Sequence, residues 1–351
     1  MDQYKAAVIG AGPAGLAVVA TLLDQECIPI LWIDPNFEAG RLSNYLEVPS
    51  NTKVKLFQQY VTTSPSLNRF SSKALMPFVG QDPDKGCPLN LAATMVKSLT
   101  DSIRKADSTR VHCVQKVVKE LAFSEGRWKI DGADECERVY LATGSHPRSL
   151  PDTGVEELLL DDVLTPTRIP ELVTNDDTVG VIGSSHSAIL ALKNLHECAT
   201  IRPKKIINFF QSPLLFAIYK EGWILYDNTG LKGEAADWAK QELQSGNLEK
   251  EKKLERICVK DYSPEEQVKL WQQCTKLVHA VGFDRNPLPK ILFNWDELKQ
   301  ISYDPHTGKI ADGLYGCGIA FPEKTVDPYG NQEYAVGLWK FMCYAQKKIK
   351  L

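Results

Sequence analysis

Gly10-Ala11-Gly12-Pro13-Ala14-Gly15 is the stretch whose reading decides the fold. The residues before it, Lys5-Ala6-Ala7-Val8-Ile9, form a short apolar run that predicts a buried strand. Residues 16–24 are apolar at helical length, and Ile30-Leu31-Trp32-Ile33 predicts a second strand, ended by Asp34-Pro35. Strand, glycine loop, helix and strand in that order give the loop its context. Each glycine then has its own task. Gly10 permits the tight turn out of the strand, Gly12 lets the backbone approach a pyrophosphate, and Gly15 lets helix and strand pack closely. The free N–H groups of the helix start, from Ala14 onward, face the phosphates, while Pro13 fits the first turn, where no N–H partner is needed. Asp34, 24 residues after Gly10, is placed to accept hydrogen bonds from a ribose.

Further along, 36–110 is irregular and rich in Pro, Ser and Asn, so loops and helices are expected there rather than a sheet. Residues 111–142 read as strands: Val111–Val118, a turn at Ser124-Glu125-Gly126, then Trp128–Ile130 and Val139–Ala142. This predicts a small antiparallel meander that holds His112 and Cys113 as packing residues. The polar, Pro-rich stretch 146–177 reads as a connector. A second strand-helix-strand unit follows: Thr178–Ile182, Ala188–Leu195 and Lys205–Phe210. Residues 212–265 read as mixed helix and loop, with the charge run Glu249–Lys253 as a solvated face. Strands return at Leu277–Ala280 and Leu314–Cys317, and Tyr334–Ile349 closes the chain as a helix.

Composition excludes several classes. Hydrophobic residues at 43% and charged residues at 24% suit a globular protein. A formal net charge of −3 offers no basic surface for nucleic acid or anionic membrane. The nine cysteines include no Cys-x-x-Cys pair, which argues against a metal ribbon, a redox dithiol and a secreted disulfide framework. They read as reduced thiols of a cytoplasmic protein. Ala6–Leu23 is uncharged for the length of a membrane span, but three glycines and Pro13 break it, so no membrane segment is expected. No metal-ligand spacing and no Ser-His-Asp arrangement stands out.

The first motif resembles the FAD motif of flavoproteins with two dinucleotide-binding domains. That superfamily includes thioredoxin-reductase-like enzymes and the flavin-containing and N-hydroxylating monooxygenases. Val139-Tyr140-Leu141-Ala142-Thr143-Gly144 resembles the strand plus Ala-Thr-Gly signature that closes its first FAD segment. Val181-Ile182-Gly183-Ser184-Ser185-His186-Ser187-Ala188 is similar to the Gly-x-Gly-x-Ser-Ala nicotinamide motif of its monooxygenase branches, with Ser185 in place of the middle glycine. Val278-His279-Ala280-Val281-Gly282-Phe283 resembles the return to the flavin domain, and Leu314–Ala320 the late Gly-Asp flavin motif, with Ile319 where the Asp stands.

The resemblance implies an α/β architecture of two Rossmann-like domains and a small antiparallel meander. Residues 1–150 and 280–351 would form a discontinuous FAD-binding domain, with an NAD(P)-binding domain, 155–279, inserted. It implies FAD contacts at Gly10, Gly12, Pro13, Ala14, Gly15, Asp34, Pro35, Arg41, Val117, Ala142, Thr143, Gly144, Gly318 and Ile319. It implies NAD(P) contacts at Gly183, Ser184, Ser185, His186, Ser187, Gln211 and Gly282. No acid follows Phe210, where Gln211 stands, so NADPH is favoured over NADH. Asn51 and Lys55 are candidates to touch the flavin ring, and Tyr226–Gly233 reads as a surface turn or a lid over a small-molecule substrate. The implied activity is hydride transfer from NAD(P)H to flavin. Three outcomes stay open: a single-component monooxygenase, a reductase of a quinone, small molecule or carrier protein, and a non-catalytic flavin-binding module.

Overall fold

The computed structural model describes residues 3–151, 153–246, 248 and 254–350. By its internal contacts the chain divides into two compact units. The first holds Met1–Ser43, Thr52–Ser145 and Arg285–Leu351, and the second holds Asn44–Asn51 and His146–Asp284.

The first unit opens with β1 (Gln3–Ile9), α1 (Pro13–Asp24) and β2 (Ile30–Ile33). β1 and β2 pair in parallel with Val8 opposite Trp32. Alternation sends Ala6, Val8, Ile30 and Trp32 into one core and Ala7, Ile9, Leu31 and Ile33 into another. Both faces of these strands are buried, which is why they read as continuous apolar runs. The break between β1 and α1 divides the uncharged stretch 6–23, and no helix among the described residues is long and apolar enough to cross a membrane. Helices fill 36–110 as expected, chiefly α2 (Val54–Thr62) and α3 (Leu89–Ala106), with no strand there among the described residues.

The run Val111–Val118 divides. β3 (Val111–Val114) pairs in parallel with β2 and is the edge of the main sheet, not part of a meander. His112 lies there, exposed, with its Nδ1 2.6 Å from the Tyr4 hydroxyl. The antiparallel meander is β4 (Glu120–Ser124), β5 (Arg127–Ile130) and β6 (Asp134–Leu141). β6 then runs parallel to β1, so the meander does return to the main sheet.

In the second unit the polar connector carries β7 (Glu156–Leu158). β8 (Thr178–Ile182), α4 (His186–Glu197) and β9 (Lys205–Phe210) follow where the sequence predicts them. β10 (Leu254–Cys258) lies within the stretch read as helix and loop, and α5 (Pro264–Trp271) starts on a capping box between Ser263 and Glu266. β11 (Lys276–His279) completes a five-stranded sheet in the order β10-β9-β8-β11-β7, all parallel. The charge run Glu249–Lys253 lies outside the described residues.

Back in the first unit, β12 (Lys290–Phe293) extends the main sheet beside β4, and β13 (Leu314–Gly316) pairs with the last residues of β6. The main sheet runs β12-β4-β5-β6-β1-β2-β3, with the two-residue strand Asp296–Glu297 antiparallel on the outer side of β12. The terminal helix is shorter than expected. Tyr334 and Ala335 belong to a hairpin of β14 (Glu323–Val326) and β15 (Gln332–Ala335), and α6 (Leu338–Lys348) starts only after Gly337. Gly337 has φ +142°, which ends the strand and breaks any continuous helix.

Candidate functional site

The two glycine motifs occupy equivalent turns. In the first, the Gly10 N–H donates to Ile33 O at 2.8 Å, Ala142 N–H to Ile9 O at 2.8 Å, and Leu16 N–H to Gly12 O at 3.0 Å. In the second, Gly183 N–H donates to Phe209 O at 2.8 Å, Ala280 N–H to Ile182 O at 2.9 Å, and Ile189 N–H to Ser185 O at 3.0 Å. Gly10, Gly12, Gly15 and Ala142 therefore correspond to Gly183, Ser185, Ala188 and Ala280.

Only one of the three glycines of the first motif is free of packing demands. A Cβ on Gly10 would lie 2.2 Å from Ala142 O, and one on Gly15 would lie 1.9 Å from Gly10 O. Gly10 also has φ +113°. The fold itself requires glycine at both. A Cβ on Gly12 would meet nothing nearer than Gly40 Cα at 3.7 Å, and its φ is an ordinary −73°. Nothing in the protein demands glycine at 12, so its open face is a cradle that a side chain would fill. It caps α1 without a side-chain hydrogen bond and with Pro13 in the first turn, next to Ala14. The N–H groups of the helix start remain for an anion.

Other expected contacts cluster around this turn. Asp34 closes it: Oδ2 accepts from the Ala11 N–H at 2.7 Å, and Oδ1 accepts from Asn36 and Phe37 N–H at 2.8 and 2.7 Å. Three of the roughly four acceptor positions of a carboxylate are thus taken, and one remains for a ribose hydroxyl. Trp32 Nε1 donates to Gly10 O at 3.0 Å and holds the loop from below. Gly40, at φ +60°, packs its backbone against Gly12, so the next residue, Arg41, is delivered beside the cradle and donates to Ser145 O at 3.4 Å. Sequence reasoning named Arg41 but not Gly40. The Thr143 hydroxyl is buried with no hydrogen-bond partner, as expected of a group meant for a ligand. Gly144 (φ +74°) turns the chain there, fixed by Asn286 Nδ2 donating to Thr143 O at 2.9 Å. Gly318 and Ile319 lie in a short 3-10 turn against α1, where a Cβ on Gly318 would come 2.5 Å from Ala14 Cβ. Arg285 was not foreseen: its Nε donates to Ala320 O at 2.9 Å and its guanidinium lies 3.9 Å over Phe321, fixing this turn. Pro35 is exposed, and Val117 is 67% exposed in the loop after β3. The open Gly12, the orphaned Thr143 hydroxyl and the adjacent Arg41 fit a dinucleotide pyrophosphate.

In the second unit Gly183 matches Gly10: its φ is +131° and a Cβ would lie 2.4 Å from Ala280 O. Ser185 takes the place of Gly12, exposed and capping α4 without a side-chain hydrogen bond, with Ser184 and Ser187 partly buried on either side. Gly282 (φ +102°) matches Gly144. Asn208 takes the part of Trp32: its Nδ2 donates to Gly183 O at 2.8 Å and Val181 O at 3.1 Å. The register puts Phe210 at the place Asp34 holds, and Gln211 one residue beyond, exposed. His186 is partly buried. Its Nε2 accepts from the Lys232 N–H at 2.9 Å. Burial, aided by the Lys232 charge, lowers its pKa from 6.5 to about 4, so the ring is neutral. Lys232 in turn donates from Nζ to Asp227 O and Oδ1 at 2.6 and 2.8 Å, which ties the 226–233 loop to the start of α4. All nine cysteines are free thiols, five of them buried.

The chain matches the pyridine nucleotide-disulphide oxidoreductase family over residues 4–318. It is 39% identical over 387 residues to the monooxygenase AgnR1 of Paecilomyces divaricatus, covering 99% of this chain and 97% of that protein. Two solved structures share the fold at low identity. The bacillithiol disulfide reductase Bdr (YpdA) of Staphylococcus aureus has a TM-score of 0.59 at 14% identity, over 99% of this chain and 97% of that one. The FAD-bound cadaverine monooxygenase DfoA of Erwinia amylovora has a TM-score of 0.63 at 11% identity, over 90% of this chain and 88% of that one. The chain belongs to the pyridine nucleotide-disulphide oxidoreductase family, and its paired motifs are those of an FAD-dependent NAD(P)H oxidoreductase.

Proposed function

We propose that this chain is a single-component flavin monooxygenase that acts on a small molecule and is driven by NADPH. The observation that carries this reading is the 39% identity, along 99% of the chain, to a protein named a monooxygenase. The cysteines support it: the closest pair in sequence, Cys258 and Cys274, is not a Cys-x-x-Cys pair, and Cys274 is buried with its pKa pushed up to about 11. A family member without a dithiol needs another electron acceptor, and dioxygen is one. Ile319, in place of the Asp of the late motif, agrees with the monooxygenase branch.

The flavin, when bound, supplies the redox chemistry, taking a hydride from the nicotinamide and passing electrons to dioxygen. This chain's residues supply binding and orientation. Residues 10–15 of the first turn and the start of α1 would hold the FAD pyrophosphate, with Arg41 opposing its charge and Asp34 accepting from the ribose. Thr143 would offer the cofactor a buried hydroxyl with no partner in the protein, and Gly144 would turn the chain beside it. Gly183, Ser185 and the start of α4 would hold the nicotinamide dinucleotide, with the neutral His186 as a fixed wall and not as a proton carrier. In this reading the FAD domain comprises 1–150 and 280–351 and the NAD(P) domain 155–279. The nine free thiols suit a reducing compartment such as the cytoplasm. The test is turnover of candidate substrates under labelled dioxygen. One labelled oxygen atom in product per NADPH consumed is the expected result, and NADPH oxidation that yields only hydrogen peroxide with every substrate tried counts against it.

A further inference from the structure

The C-terminal half of α6 meets a group of tyrosines that neither cofactor turn uses. Tyr140 on β6 and Tyr315 on β13 stand opposite each other in parallel register, with their rings stacked at 5.4 Å. Alternation puts Cys317 on the same face as Tyr315. α6 brings Tyr344 and, one turn further, Lys348. With Thr307 these side chains line a cavity of about 40 Å³. Tyr140 is 3% and Tyr344 6% exposed. Arg138 lies beside the Tyr140 hydroxyl oxygen, but among the described residues no acceptor takes the proton of the Tyr140, Tyr315 or Tyr344 hydroxyl. A Cβ on Gly308 would lie 2.1 Å from the Tyr344 hydroxyl, so glycine at that position, with φ +72°, makes room for it. Burial pushes the pKa of Tyr140 and Tyr344 up, and that of Cys317 up to about 12, so all three keep their protons. Lys348 has Glu323 Oε1 at 3.7 Å, too far for a hydrogen bond, and Thr307 donates to Asp304 Oδ2 at 2.7 Å. No carboxylate among the described residues lines the cavity itself.

We infer that this cavity binds a single chloride-sized anion, which fastens the end of α6 to β6 and β13. The inference rests on neither cofactor reading. The space admits a species about the size of a water molecule and excludes any larger organic ligand. Phenol O–H groups and an ammonium are hydrogen-bond donors. A halide accepts from all of them and brings no proton of its own, whereas a water molecule brings two that also need buried acceptors. The nearby main-chain oxygens are already turned to other donors. Arg138 Nη1 donates to Lys350 O at 3.0 Å, and Gln25 Nε2 donates to Ile349 O at 2.6 Å. The Lys348 charge, drawn in beside the tyrosines, then has an anion to meet.

The test follows thermal unfolding of the FAD-loaded full-length chain in sodium chloride and in sodium gluconate at equal ionic strength, gluconate being too large for the cavity. Wild-type protein should melt higher as chloride rises, because an ion that binds only the folded state adds stability with its concentration. Tyr344→Phe removes one donor and keeps the ring, and it should weaken the apparent chloride affinity by about 10–100-fold. Lys348→Met keeps the apolar stem and removes the charge, with the same expected result. No difference between chloride and gluconate in the wild type overturns the inference. A chloride effect of equal size in the wild type and both variants places the ion elsewhere and overturns it too. Crystals of the wild type grown in sodium bromide give a reading that does not depend on the variants. An anomalous peak in the cavity, between the Tyr140, Tyr315 and Tyr344 hydroxyls, is expected, and a water molecule there with no anomalous signal overturns the inference.

Discussion

Replacing Gly12 by alanine separates what the fold needs from what the cofactor needs. A Cβ at Gly12 meets only Gly40 Cα at 3.7 Å and Ala39 O at 3.9 Å, both ordinary contacts, and φ is −73°. The apoprotein should accept it and gain about 0.4–1 kcal/mol, because alanine lowers the entropy of the unfolded chain at a compatible backbone position. The same methyl occupies the face turned to the pyrophosphate. Pushing the phosphate away lengthens charge-assisted hydrogen bonds from the N–H groups at the start of α1. Losing one of these costs about 1.5–3 kcal/mol, or about 10–150-fold in FAD affinity. The assay pairs urea unfolding of the apoprotein with a fluorescence titration of FAD. Gly10→Ala is the control: its Cβ would lie 2.2 Å from Ala142 O at φ +113°, so it should lower stability outright. Gly12→Ala protein that binds FAD as tightly as wild type, or whose apoprotein is less stable, would refute the assignment of this glycine to the ligand.

Asp34→Ala should weaken FAD retention and also lower stability by about 1–3 kcal/mol, because the Ala11, Asn36 and Phe37 N–H groups lose their acceptor; unchanged melting would contradict that. His186 has its pKa lowered from 6.5 to about 4, so the unfolded chain binds more protons between those values and stability falls as pH drops through that window, by at most about 3 kcal/mol. His186→Gln should flatten that part of a stability-against-pH curve, and a slope that persists would place it on other groups. Alkylation of exposed thiols, Cys258 above all, should leave NAD(P)H oxidation intact; lost flavin reduction with FAD still bound would identify a functional cysteine. Ser185→Gly should tighten NADPH binding severalfold, since Ser185 holds the place of Gly12 and makes no capping bond; weaker binding would give its hydroxyl a direct role.

The parts legible in the sequence were those with two independent signals. β1, β2, β8 and β9 are apolar runs joined to a glycine turn, so pattern and punctuation agreed. β3 reads as one strand with the meander because four valines are spread over Val111–Val118, and its break at Val114 comes from pairing with β2. β7 and β10 carry Glu-Glu-Leu and Leu-Glu-Arg-Ile-Cys, sequences whose strand character comes from their neighbours. Two signals were present and unused: the apolar spacing Ala92, Met95, Val96, Leu99 and Ile103 of α3, and Ser263-Pro264-Glu265-Glu266 before α5. In the site, the motif residues were readable because each glycine has a steric reason. Gly40, Asn208 and Arg285 were not, because their roles depend on register and on contacts distant in sequence.

The most direct test of the account is an anaerobic titration of the FAD-loaded protein with NADPH, followed by the flavin absorbance band. The account predicts yellow protein that bleaches completely with about one equivalent of NADPH, since one hydride carries the two electrons a flavin accepts. Colourless protein that takes up no added FAD, or yellow protein that neither NADPH nor NADH bleaches, would contradict it.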